Sequence, residues 1–148
     1  PFTLSGPTGE SNRLSLHPKG TVLCLGPTTE LALAQAVQAL GAGCPAVIAV
    51  PGAEAAARPL IEAGAAVAAL DGTPAAQTLT AVRGIAAVAA AGVSDWTRAL
   101  RRALAAREGA IVALETEVVA PERYVVERHL CIDTTAAGGN ASLLAAVS

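Results

Sequence analysis

Methionine is missing from all 148 residues. A chain with none is not a complete translation product, so this sequence is expected to belong to a longer protein. No apolar leader-like stretch follows Pro1. Aromatic residues are nearly missing too: Phe2, Trp96 and Tyr124 are the full set. Stacking platforms for bases or sugars are therefore excluded. Charge is scarce, at 15% of residues, and ten Lys and Arg against twelve Asp and Glu leave a net charge of −2. Nucleic-acid binding, which needs clustered cations to neutralise phosphates, is not expected. The longest apolar run, residues 85–93, is about half the ~18 residues that cross a bilayer, so membrane insertion is not expected either. Cys24, Cys44 and Cys131 are odd in number, widely spaced and without a CxxC pair. They support neither a disulfide framework nor a zinc knuckle, and are expected to be buried free thiols in a reducing cytoplasm.

What is present is apolar: 53% of residues are hydrophobic, which excludes a disordered chain. Five short runs rich in Val, Ile, Leu and Ala lie at residues 21–25, 46–50, 67–70, 85–88 and 111–114. None alternates polar with apolar, as expected of strands buried on both faces of a parallel sheet. Helical stretches separate them. Thr28 or Thr29 caps the first, with Glu30 in its first turn and Gly41 and Gly43 to stop it. A second spans residues 53–63 and contains Pro59. Thr73 followed by Pro74 predicts the start of a third. Ser94 caps a fourth, with Asp95 at its start and Arg98, Arg101, Arg102 and Arg107 toward its end. The fold class is α/β: a Rossmann-like parallel sheet of about five strands, with helices on both faces and extended N- and C-terminal arms.

The division follows from composition. Residues 1–20 form an arm from preceding sequence, with an extended piece at 11–17. Residues 21–114 form the Rossmann-like domain, 115–133 a strand or flap with its strand near 125–133, and 134–148 a small-residue docking tail. The spacing of Leu130, Ile132 and Thr134 leaves an apolar strand face in search of a partner.

The first strand-to-helix turn reads Leu25-Gly26-Pro27-Thr28-Thr29-Glu30. A dinucleotide site there is built on three glycines and free backbone donors. One glycine survives, and Pro27 has no N–H. The second strand ends in Val50-Pro51, with no acid for ribose hydroxyls; Asp71 ends the third strand instead, in the wrong place for that role. His17 and His129 join no short ligand cluster, Cys131 would need both a base and an oxyanion hole to act as a nucleophile and is expected to be an inert strand cysteine, and Glu115, Glu117, Glu122 and Glu127 form a solvated edge. Residues 6–12 suit a turn better than an anion nest. No catalytic, cofactor-binding or metal-binding residue is assigned. In the tail, Thr134, Thr135, Gly138, Gly139, Asn140 and Ser142 let a backbone approach closely and hydrogen-bond, which favours docking on a partner surface.

Two segments carry a resemblance. Gly-Pro-Thr-Gly-Glu-Ser-Asn-Arg-Leu at residues 6–14, followed by Pro-Lys-Gly-Thr-Val-Leu-Cys at 18–24, resembles the C-terminal region of the proline utilization A family. So does the ending Glu127-Arg128 with Asp-Thr-Thr-Ala-Ala-Gly-Gly-Asn-Ala-Ser-Leu-Leu at 133–144, and Trp96 within residues 93–96 adds to it. That family comprises large bifunctional enzymes that convert proline to glutamate. The resemblance implies a non-catalytic domain of the aldehyde dehydrogenase superfamily. Its implied partner is an upstream aldehyde dehydrogenase domain of the same polypeptide or of a second subunit. There it would brace that domain and seal the path carrying the semialdehyde intermediate, with the tail in the interface. FAD and NAD are implied for the longer protein and none for this segment, with a cytoplasmic location. The alternatives are a weak nucleotide-binding regulatory domain using residues 26–30, and an oligomerisation module.

Overall fold

The computed structural model describes residues 1–7 and 9–133. In chain order the elements are β1 (Phe2–Leu4), β2 (Glu10–Pro18), β3 (Val22–Cys24), α1 (Thr29–Gly41), β4 (Ala46–Val50), α2 (Ala53–Glu62), β5 (Val67–Asp71), β6 (Ala87–Ala89), α3 (Asp95–Ala105), β7 (Ala113–Glu115) and β8 (Val125–Asp133). Two 3-10 segments, Ala76–Thr80 and Pro121–Tyr124, complete the set. The described residues form two units: Pro18–Val125, and Pro1–His17 with residues 126–133.

The larger unit is a five-stranded sheet in the order β5-β4-β3-β6-β7, with every neighbouring pair parallel. The chain builds outward from β3 through β4 to β5, then crosses back to β6 and β7. The strand order therefore reverses between β3 and β6, where open α/β sheets place their ligand crevice. Successive residues of a strand face opposite sides. Val22 and Cys24 join one core, with Ala32, Ala36 and Ala39 of α1 and Ala53 and Ala57 of α2. Leu23 and Leu25 join the other, with Leu100, Ala103 and Leu104 of α3 and Leu79. Cover on both faces is why the strand runs show no polar alternation.

Local signals explain the helix boundaries. Thr28 is the N-cap of α1, its hydroxyl accepting from Leu31 N at 3.3 Å. Ser94 and Thr97 form a reciprocal capping box at α3: Ser94 Oγ accepts from Thr97 N at 3.1 Å, and Thr97 Oγ1 accepts from Ser94 N at 2.8 Å. The helix expected from Thr73 and Pro74 is not there; only the 3-10 segment Ala76–Thr80 forms. Thr80 donates its hydroxyl to Gln77 O at 2.8 Å, the local bonding by which Thr competes with helix. Few residues remain before β6, with Gly84 among them.

In the smaller unit the strand order is β1-β2-β8. β1 runs antiparallel to β2, with Phe2 opposite Leu14 and Leu4 opposite Asn12. The two extended pieces read as separate arms thus share one sheet. Asn12 is its buried polar residue: Nδ2 donates to Glu10 Oε2 at 3.2 Å, and Oδ1 lies 3.1 Å from His129 Nε2. Gly6 sits against that amide, and a Cβ there would lie 2.3 Å from Asn12 Nδ2. Cys24 and Cys44 are buried free thiols as expected, but Cys131 is exposed, because β8 is exposed from Glu127 to Asp133.

Candidate functional site

The crevice at the C-terminal ends of β3 and β6 is a cavity of about 240 Å³ lined by Leu25, Pro27, Thr73 and Trp96. Its floor is the turn between β3 and α1. Gly26 occupies that turn at φ +82°, where a Cβ would meet Thr28 N at 2.6 Å and Thr28 O at 2.7 Å, so only glycine fits. Its backbone is fully used. Gly26 N donates to Gln35 Oε1 at 3.1 Å, and Gln35 Nε2 donates back to Gly26 O at 3.2 Å. Gly26 O also accepts from Ala91 N at 2.7 Å. Gln35 is 1% exposed, so these bonds are made in the core.

The N-terminus of α1 is occupied from within the chain as well. Thr28 Oγ1 takes one free N–H. The Glu30 carboxylate is held below the usual glutamate range, first by its own backbone N–H and then by the Thr28 hydroxyl. Thr29 Oγ1 is turned to Pro51 O at 2.9 Å. The neighbouring helix is capped across space: Asp71 Oδ1 accepts from Glu54 N at 2.9 Å, because Gly52 at the N-cap of α2 has no side chain to offer. These residues do not fit a dinucleotide phosphate. The turn amide is spent on Gln35, and a carboxylate already stands at the helix end, where it would repel a second anion.

The remaining candidates find structural partners. His129 meets Asn12, and His17 Nε2 lies 2.9 Å from Ser15 Oγ. Burial pushes the Cys24 thiol up to about 12, which suppresses the thiolate a nucleophile requires. Glu115 and Glu117 each lie 3.9 Å from the Arg123 guanidinium. Tyr124 is 1% exposed, and its carbonyl accepts from Lys19 N at 2.9 Å and from Cys44 Sγ at 3.1 Å. Burial first, then the nearby Cys24, Glu115 and Cys44, push its phenol up to about 12. Among the described residues no group of three or more His, Cys, Asp or Glu is placed to hold a metal ion, and no helix is long and apolar enough to cross a membrane. The docking residues Thr134, Thr135, Gly138, Gly139, Asn140 and Ser142 lie outside the described residues.

Sequence reasoning missed two glutamines. Gln35 clasps the crevice turn. Gln38, one turn on, donates to Val118 O at 2.9 Å and accepts from Ala120 N at 2.9 Å, fastening the segment after β7 to α1. Their spacing of three on an otherwise apolar helix is the signal that was available.

No family model matches the chain. It is 41% identical over 147 residues to the bifunctional protein PutA of Salmonella typhimurium, across 95% of this chain and 11% of that protein. This chain is PutA-like over nearly its whole length. A solved structure of proline utilization A with proline bound in remote sites superposes with a TM-score of 0.65 at 33% identity, over 76% of this chain and 13% of that one. An aldehyde dehydrogenase from Brucella melitensis biovar abortus 2308 superposes with a TM-score of 0.57 at 19% identity, over 78% of this chain and 26% of that one. The latter likeness is one of fold: the PutA-like segment has the Rossmann-type sheet of an aldehyde dehydrogenase. The chain spans only 11% of the length of the curated PutA proteins it matches.

Proposed function

We propose that this PutA-like segment is a non-catalytic structural domain of a bifunctional proline-to-glutamate enzyme. It braces an aldehyde dehydrogenase domain and seals the cavity through which the semialdehyde intermediate passes. The observation that carries the reading is the closed Gly26–Gln35 pair. It stands where a working Rossmann domain would offer its amide to phosphate, so the sheet keeps its architecture while the turn serves the core. In this reading FAD and NAD act in the longer cytoplasmic protein, outside this segment. The partner surface is the aldehyde dehydrogenase domain of the same polypeptide or a second subunit, and residues 134–148 dock there.

The test is to remove residues 134–148 from the longer protein and follow proline oxidation and glutamate formation separately. The expected result is a longer lag in glutamate formation with proline oxidation largely spared. An unchanged coupled time course in a folded variant would overturn the sealing role.

A further inference from the structure

Between β7 and β8 the chain runs as a strap, residues 116–124, held down by a short set of hydrogen bonds. At its start Thr116 O accepts from Gly92 N at 2.8 Å. Midway, Gln38 of α1 donates to Val118 O and accepts from Ala120 N, both at 2.9 Å. At its end Lys19 Nζ donates to Arg123 O at 2.8 Å. The next carbonyl, Tyr124 O, accepts from Lys19 N at 2.9 Å and from Cys44 Sγ at 3.1 Å. Each of these ties ends on the strap's backbone, so none depends on a strap side chain.

Little else anchors it. Ala120 and Tyr124 are buried, whereas residues 117–119 and 121–123 are exposed. The charged contacts are internal: Arg123 reaches back to Glu115 and Glu117, each at 3.9 Å. They draw the two ends of the loop together, as in compact loops that pack on themselves. Pairs this open contribute little to holding it on the core. The sheet is built differently. β3 is paired on one side with β4 and on the other with β6, and its three residues are buried. The free energy of local opening follows buried apolar contacts and protected hydrogen bonds, of which the strap has few and the sheet many.

Two cysteines tell these regions apart. Cys24 lies within β3, where only separation of the strands reaches it. Cys44 lies in the turn between α1 and β4, with its buried thiol against the Tyr124 carbonyl. Lifting the strap takes Tyr124 off Cys44 and leaves the sheet paired.

We propose that residues 116–124 are a latch that opens as one unit ahead of the sheet. Gln38 and Lys19 hold it closed, and its opening bares Tyr124 and the Cys44 thiol. The device lies in α1 and the turn before β3, because the bonds that shut it come from there.

Hydrogen exchange and thiol labelling of the full-length protein, read peptide by peptide by mass spectrometry, test this. The amides of residues 117–124 are expected to exchange together, and before those of β3 and β4. Gln38→Leu removes two bonds from the strap and is expected to speed both its exchange and Cys44 labelling about tenfold, with Cys24 unchanged. Lys19→Met keeps the backbone bond and loses the side-chain one, so the same two rates should rise by a smaller factor. Ser94→Ala, which weakens the end of α3 and leaves the strap's ties intact, should leave Cys44 labelling as it was. Three results would each overturn the proposal: strap amides that exchange only with the sheet, Cys44 and Cys24 accelerating together in Gln38→Leu, or Ser94→Ala speeding Cys44 as much as Gln38→Leu does. Unchanged rates in both Gln38→Leu and Lys19→Met would overturn it as well.

Discussion

Gln35 and Gly26 satisfy each other completely: the side-chain amide of one gives and takes a hydrogen bond with the backbone of the other, at 3.2 and 3.1 Å, inside the core. Two properties of the chain follow from that pair. It fixes the angle at which α1 leaves β3, and it withdraws the turn from any ligand. Replacing Gln35 with Leu keeps the volume roughly constant and leaves Gly26 N buried without an acceptor. A buried donor abandoned in this way costs ~1–3 kcal/mol. Denaturant midpoints should show Gln35→Leu less stable by about 2 kcal/mol. A loss under about 0.5 kcal/mol would mean that the clasp is incidental.

The same pair predicts how the crevice treats nucleotides. Calorimetric titration with NAD or AMP is expected to give no saturable heat in the micromolar range. Saturable micromolar binding that disappears in Thr28→Ala and Thr29→Ala variants would instead establish a nucleotide-binding regulatory domain.

Glu30 gives a pH signature. Its carboxylate ionises below the ordinary glutamate value in the folded chain, because a backbone N–H and the Thr28 hydroxyl favour the charged form. A depressed folded-state value means a stabilising contribution that is fully present above the unfolded value. That contribution is lost as pH falls through the folded one. The stability difference between the wild type and Glu30→Gln should therefore be constant near neutrality and shrink as pH drops below the usual glutamate range. A difference that grows toward acid would contradict the hydrogen bonding.

The sheet was legible because burial on both faces leaves a uniform apolar run, and five such runs became β3 to β7 with small shifts at their ends. Thr28, Ser94 and Gly26 were legible because caps and tight turns are local. The third helix was misread for the converse reason: Thr73 and Pro74 mark a start, but Thr78, Thr80 and Gly84 deny the segment a helical interior. The crevice was half legible. The missing glycines showed in sequence, whereas the partners of Gln35, Gln38 and Asp71 lie 9 to 82 positions away and depend on tertiary placement. The capping role of Asp71 replaces the ribose-binding role it was unfit to fill.

The capping box offers a local test. Ser94→Ala removes the acceptor for Thr97 N and should cost about 1 kcal/mol, with Ser94→Gly costing less. Equal stability of Ser94→Ala and wild type in thermal melts would show that Thr97 alone holds the end of α3.

Thiol chemistry distinguishes the three cysteines. Cys131 lies on the exposed length of β8, Cys24 is buried at the end of β3, and Cys44 is buried with its thiol directed to Tyr124 O. The reactive species is the thiolate, and a Cys24 thiol pushed up to about 12 is ionised in only about one molecule in ten thousand at pH 8. Burial then adds a steric barrier that only opening of the sheet removes. A thiol reagent added to the folded chain should therefore react rapidly with one cysteine. The other two should follow at the rate of opening and become fast in denaturant. Cys131→Ser should leave no fast phase. A second fast thiol in that variant would mean that the core around β3 and the start of β4 opens far more readily than its burial implies.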